Sequence, residues 1–135
     1  MKQAFLEECE QNLSSPVWGG MNTTSFAHSI MQGLSKNPSL GPFWIICPNE
    51  SVCEKMLEAL YFFNHFCQTK ADIGHYIQDD PRTFDGASPS PQCPRKRIHA
   101  RLLLTQKNSV IVSSVLGSLH KTLSLQDAQQ QSLTL

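Results

Sequence analysis

The chain has 135 residues, 40% of them hydrophobic, and its 11 basic side chains are matched by 11 acidic ones. That length and apolar fraction set an expectation of one domain with an adequate core, and a formal charge of zero leaves no overall field to drive the chain onto nucleic acid or an anionic bilayer. No apolar run is long enough to span a membrane, and acids stand in MKQAFLEECEQNL where a signal peptide needs its apolar core, so the expected setting is cytoplasmic.

Lys2 to Leu13 carries Phe5, Leu6, Cys9 and Leu13 at helical spacing and is closed by Ser14, Ser15 and Pro16, which predicts an N-terminal helix over residues 1–16. Gly19 and Gly20 then form a turn ahead of a second helix. Thr24 is its expected N-cap, and Phe26, Ile30, Met31 and Leu34 form its apolar face. A glycine turn opening a helix is where phosphate-binding loops hold their anion, because free N–H groups and the helix dipole point outward there. No Gly-Lys-Ser/Thr follows, so no ammonium is placed for the terminal phosphates, and a plain structural turn is favoured.

GLSKNPSLGP, Gly33 to Pro42, reads as a solvated connection into a strand at Phe43 to Cys47. The strand's unbroken apolar run predicts burial on both faces, hence a central position in a parallel sheet. Ser51 and Glu54 have the spacing of a capping box, and Val52, Met56, Leu57, Leu60 and Phe63 make the inward face of a helix ending at Phe66. A short loop from a buried strand into such a helix is half of a βαβ unit, whose crossover is nearly always right-handed.

Ala71 to Ile77 alternates loosely as a second strand, weakened by Gly74. Residues 78–94 form the longest irregular segment, of a length that is usually either functional or mobile. The neighbouring Asp79 and Asp80 point in different directions in extended chain, which disfavours an acid and base pair. Pro94 is expected at the first position of the next helix, with Ile98, Leu102 and Leu103 inward and Arg95, Lys96, Arg97, His99 and Arg101 mostly outward. This basic cluster at a helix N-terminus opposes the macrodipole. It could contact a phosphate backbone or an acidic partner, but no aromatic residues interleave with the charges, which favours a solvated face. Ser109 to Ser113 is a third strand, and Val115, Leu116, Leu119 and Leu123 face inward from a closing helix. Strand-like alternation resumes at Leu133 to Leu135, so the chain is expected to continue into a further domain.

The five cysteines are odd in number and scattered, with no Cys-x-x-Cys, which fits reduced thiols rather than a disulfide framework. A metal site across Cys47 and Cys53, or His65 and Cys67, matches no zinc spacing, so no metal is expected. A thiol enzyme using Cys47 or Cys53 would need a histidine and an acid placed to activate it, and none is evident from the sequence.

The order of these motifs resembles a known family. The glycine turn without its lysine is followed by GPFWIICPNESVCEKMLEALYFF, then PRTFDGASPSP, then RIHARLLLTQKNSVIVSSVLGSLHKTLS. From about Val17 to Leu135 this is similar to the N-terminal domain of bacterial transcription-repair coupling factors (Mfd), a region itself similar to the first domain of UvrB. Pro81, Phe84, Asp85, Ser88 and Pro89 occupy the stretch where the family has a Pro-Tyr-Glu-like element and a Ser-Pro, with Phe84 in place of the usual tyrosine, and Arg101 matches the family's arginine in the next helix.

The resemblance implies a three-layer, P-loop/RecA-like α/β domain over residues 17–124 with a short, mainly parallel sheet and a degenerate phosphate loop at Gly19 and Gly20, followed over 125–135 by a linker and the start of the next domain. UvrB keeps a working phosphate loop there and the coupling factor does not. The implied whole protein is an ATP- and Mg-dependent DNA translocase that displaces stalled RNA polymerase and recruits UvrA. In this part no catalytic residue, cofactor or metal is then expected, and Arg95, Lys96, Arg97 and Arg101 are the candidate contacts to a partner or nucleic acid. The alternative is an independent α/β domain binding a nucleotide or small ligand where the strands end near Pro48 and Ser113.

Overall fold

The computed structural model describes residues 20–78, 92–119 and 130. The expected N-terminal helix, Gly19, Asp79, Asp80, the Pro81 to Pro89 stretch, Leu123 and the 125–135 linker lie outside these, Gln130 apart.

Three parallel strands, β1 (Phe43–Cys47), β2 (Asp72–Tyr76) and β3 (Ser109–Ser114), form an open sheet in the order β1-β3-β2. The helices are α1 (Thr23–Lys36), α2 (Glu50–Phe66), α3 (Gln92–Leu103) and the short α4 (Val115–Leu119). The crossover through α2 steps from β1 past the β3 position to β2, and the crossover through α3 steps back. A fixed right hand then requires the two crossover helices to lie on opposite faces, and they do. On one face α1 and α2 bury Ala27, Ile30, Met31, Leu34, Met56 and Leu60 against Ile45, Ile73, Val110 and Val112. On the other, α3 sets Ala100 and Leu103 against Tyr76 and Ile111. Each large aliphatic side chain fully buried in this way contributes about 1.5–3 kcal/mol.

The strand expected at the centre is at an edge. Along β1 only Ile45 and Cys47 are buried, while Trp44 and Ile46 are 45% and 56% exposed on the α3 face, because α3 covers β2 and β3 and stops short of β1. The central strand is β3, buried at all six positions. Its serines find partners there. Ser109 Oγ donates to the Leu103 and Gln106 carbonyls, both at 2.8 Å, and Ser113 Oγ accepts from Trp44 Nε1 at 2.7 Å.

Both expected helix caps shift by two residues. Asn22, not Thr24, caps α1 by accepting from Ser25 N at 2.8 Å, and Asn49, not Ser51, caps α2 by accepting from Val52 N at 3.0 Å. In each case an asparagine in extended conformation stood just upstream, and it is a stronger cap than threonine and the equal of serine. The helix α1 also runs on through Lys36 into the stretch expected as connection. Pro94 falls at the third residue of α3 rather than the first. Finally, Val115, Leu116 and Leu119 are exposed rather than inward, and Gly117 is the buried residue of α4.

Candidate functional site

The carboxyl ends of the three strands bring together the one dense polar cluster among the described residues. In a parallel sheet whose crossover helices leave to opposite faces, this edge is where a crevice opens. After β1 the chain turns through Asn49 into α2, which puts Glu50 in the first helical turn and Cys53 one turn on. His75 comes from β2, Gln78 from the chain just beyond it, and Ser114 from the end of β3.

The Glu50 carboxylate sits among them. Its Oε1 accepts from Ser114 Oγ at 3.0 Å and from the Gln78 backbone N–H at 3.0 Å. Its Oε2 lies 3.0 Å from His75 Nε2. A carboxylate only accepts, so Nε2 carries the proton of that bond. Ser114 Oγ in turn accepts from the Gly117 N–H at 3.0 Å, which ties α4 to the same point. One donor atom from each of Glu50, Cys53 and His75 lies within 4.8 Å of the others.

Cys47 and Cys53 close the inner side of the cluster, and both are buried. Burial pushes the Cys53 thiol up to about 12, with neighbouring Cys47 and Glu50 adding to the effect. Burial likewise raises Cys47, offset in part by the hydrogen bond it receives from Cys53.

A cysteine with a histidine and an acid beside it is therefore present, though not recognisable from the sequence, since Glu50 and Cys53 lie at the start of α2 and His75 lies on β2, with the rest of α2 between them in the chain. The only sequence signal was the position of each residue next to the carboxyl end of a predicted strand. The trio does not form a nucleophile. Cys53 is inaccessible and held as the neutral thiol, whereas an attacking cysteine is exposed with its pKa depressed. The pairing of His65 with Cys67 supplies no such group. His65 is exposed and lines an open hollow of about 400 Å³ with Tyr61, Asn64, Gln68 and Lys70.

Gly20 has φ +74° and open space where a Cβ would stand, as a turn glycine requires. At the start of α1 beyond it, the Ser25 N–H is met by Asn22 Oδ1. In the basic cluster Arg95 and Lys96 are exposed and Arg101 half-buried. Arg97, expected outward with them, is buried. Its Nη2 donates to Tyr76 Oη at 2.9 Å and its guanidinium carbon stands 4.7 Å from the Tyr76 ring centre. This side chain spans β2 and α3, where its long apolar stem packs and its charge meets an aromatic face.

Comparisons of the chain with protein-family models, with curated proteins and with solved structures return no match. Among the described residues no helix is long and apolar enough to cross a membrane.

Proposed function

We propose that this chain is a non-catalytic, UvrB-like α/β module of a transcription-repair coupling factor, the ATP-driven DNA translocase that displaces stalled RNA polymerase and recruits UvrA. The observation that carries this reading is the half-open face of the sheet. Trp44 and Ile46 on β1, with Val115, Leu116 and Leu119 on α4, leave large apolar side chains exposed, and among the described residues nothing covers them. Large apolar side chains exposed on two neighbouring elements are what a surface on which another domain or protein packs requires, and such a surface is what a scaffolding module offers. The carboxyl edge agrees in sign. The described part of this edge presents the Glu50 carboxylate, which repels polyphosphate.

The degenerate phosphate loop and the P-loop/RecA-like architecture belong to the same proposal. So do ATP and Mg as cofactors of the whole motor, and DNA, RNA polymerase and UvrA as its partners. A coupling factor whose first domain is replaced by residues 17–124 of this chain is expected to keep ATP-dependent transcript release from stalled polymerase and repair of the transcribed strand. Loss of both by a soluble, folded chimera would overturn the reading. Calorimetry of the 135-residue chain with ATP or ADP and magnesium separates the alternative. No heat is expected, and saturable micromolar binding would make the chain an independent nucleotide-binding domain.

A further inference from the structure

Three observations about the carboxyl-edge cluster converge on a cation. Donor atoms of three different kinds, a thiol, an imidazole nitrogen and a carboxylate oxygen, approach within 4.8 Å of one another. A second thiol, that of Cys47, is hydrogen-bonded to the first. The carboxylate is also pre-oriented. Its Oε1 is taken by Ser114 and the Gln78 N–H, which leaves Oε2 directed at His75. Hydrogen bonds of this sort to the far oxygen of a ligand are how proteins aim a metal-binding carboxylate.

We propose that Glu50, Cys53 and His75, completed by Cys47, bind a thiophilic divalent cation of the zinc class. Thiolate and imidazole ligands select zinc over magnesium or calcium, which prefer all-oxygen shells. Four such ligands around zinc stand about 2.0–2.3 Å from the ion, which puts them within about 4 Å of one another. The 3.0 Å between Glu50 Oε2 and His75 Nε2 is already inside that spacing, and the Cys53 sulfur lies within 4.8 Å of both residues' ligand atoms. The cation takes the place of the proton between Nε2 and Oε2, and that proton moves to Nδ1, so that His75 binds as the neutral imidazole through Nε2. Cys47 and Cys53 each release one proton to solvent as their sulfurs bind. The site joins β1, β2 and the start of α2, and Ser114 links it to β3. The bound ion therefore acts as a structural staple of the sheet's carboxyl edge, and this stands apart from the coupling-factor reading.

The test is titration of the reduced, chelator-treated 135-residue chain with Co(II). One equivalent is expected to bind with thiolate-to-cobalt charge-transfer absorption and the intensified visible bands of a tetrahedral site, and Zn(II) is expected to displace it. Cys47→Ser is expected to halve the charge-transfer intensity, Cys53→Ser to remove it or halve it with a large loss of affinity, and Cys67→Ser to leave it unchanged. Ser114→Ala, which removes no proposed ligand atom, is expected to weaken binding about 10–100-fold through loss of the carboxylate's orientation. Circular dichroism verifies that each variant remains folded. Absence of the charge-transfer band in the wild-type chain would overturn the proposal without recourse to any variant. So would a full-intensity band in a folded Cys47→Ser, Cys53→Ser double variant.

Discussion

The two faces of the sheet are built from the same three strands and differ in almost everything else. The face under α1 and α2 is closed: Ala27, Ile30, Met31, Leu34, Cys53 and Leu60 are each at most 1% exposed, and Ile45, Val110 and Val112 meet them from below. The face under α3 is half a core. Over β2 and β3 it is tight enough to need a glycine and to bury an arginine on a tyrosine, and over β1 it stops, leaving Trp44 and Ile46 in the open. The first face holds the fold together, and the second is where the chain has surface to spend on something else.

This contrast is broken most sharply by truncating the closed face. Leu60→Ala removes a fully buried side chain from between α1, α2 and the sheet, and should lower the stability of the isolated chain by about 2–5 kcal/mol in urea unfolding. A loss near zero would mean that α2 does not pack on the sheet as described. The tight half of the other face comes next. A Cβ at Gly74 would stand 2.8 Å from Leu103 Cδ1 and 3.1 Å from Ala100 Cα. The leucine tip can turn away, but the helix backbone cannot without α3 lifting off β2. Replacing a glycine by alanine ordinarily gains about 0.4–1 kcal/mol from the unfolded state, which is smaller than the roughly 1–3 kcal/mol cost of overpacking. Gly74→Ala should therefore destabilise, and a stabilised variant would show the α3 contact to be loose.

At the carboxyl edge Ser114→Ala leaves the buried Gly117 N–H without its acceptor and takes one donor from Glu50, an expected loss of about 1–2 kcal/mol. The thiols give a pH signature. Cys53 titrates near 12 in the folded chain against 9.0 for the ordinary thiol, so the neutral form is the one the fold favours. Its contribution is fully present below pH 9 and is lost as pH rises toward 12. With Cys9 and Cys93 replaced by serine and a chelator present, iodoacetamide at pH 8 should modify the half-buried Cys67 first and reach Cys47 and Cys53 only on unfolding. Early modification of Cys53 would show that the edge opens.

Much of the framework was legible in the residues because it follows from local chemistry. Phe43 to Cys47, the amphipathic run to Phe66, and SVIVS each announce an element by apolar period and β-branching, and the parallel sheet follows from the strand and helix alternation. What could not be read depends on neighbours distant in sequence. An unbroken apolar run looks the same in a central strand and in an edge strand, so the central place expected for β1 belongs to β3. Arg97 looked solvated because its partner, Tyr76, is contributed by another element. The Glu50, Cys53 and His75 cluster stayed hidden for the same reason. Its members are unremarkable in their own segments, and only the crossover through α2 sets β2 beside the turn after β1.

The smallest expected effect is the one that decides what the open face is for. Ile46 is 56% exposed, so Ile46→Ser removes little buried area from the isolated chain and should change its stability by no more than about 0.5 kcal/mol. The same substitution in a larger protein has a different reference state. If the face over β1 is covered there by a neighbouring domain, as the proposed module requires, a serine at its centre desolvates a hydroxyl and forfeits apolar contact, a cost of about 1–3 kcal/mol borne by the docking alone. Equal melting temperatures for the isolated variants, with a lowered one for the variant in the chimeric coupling factor, would assign the surface to domain packing. If Ile46→Ser instead destabilised the isolated chain by several kcal/mol, then residues of this chain itself would cover β1, and the two faces would not differ as described.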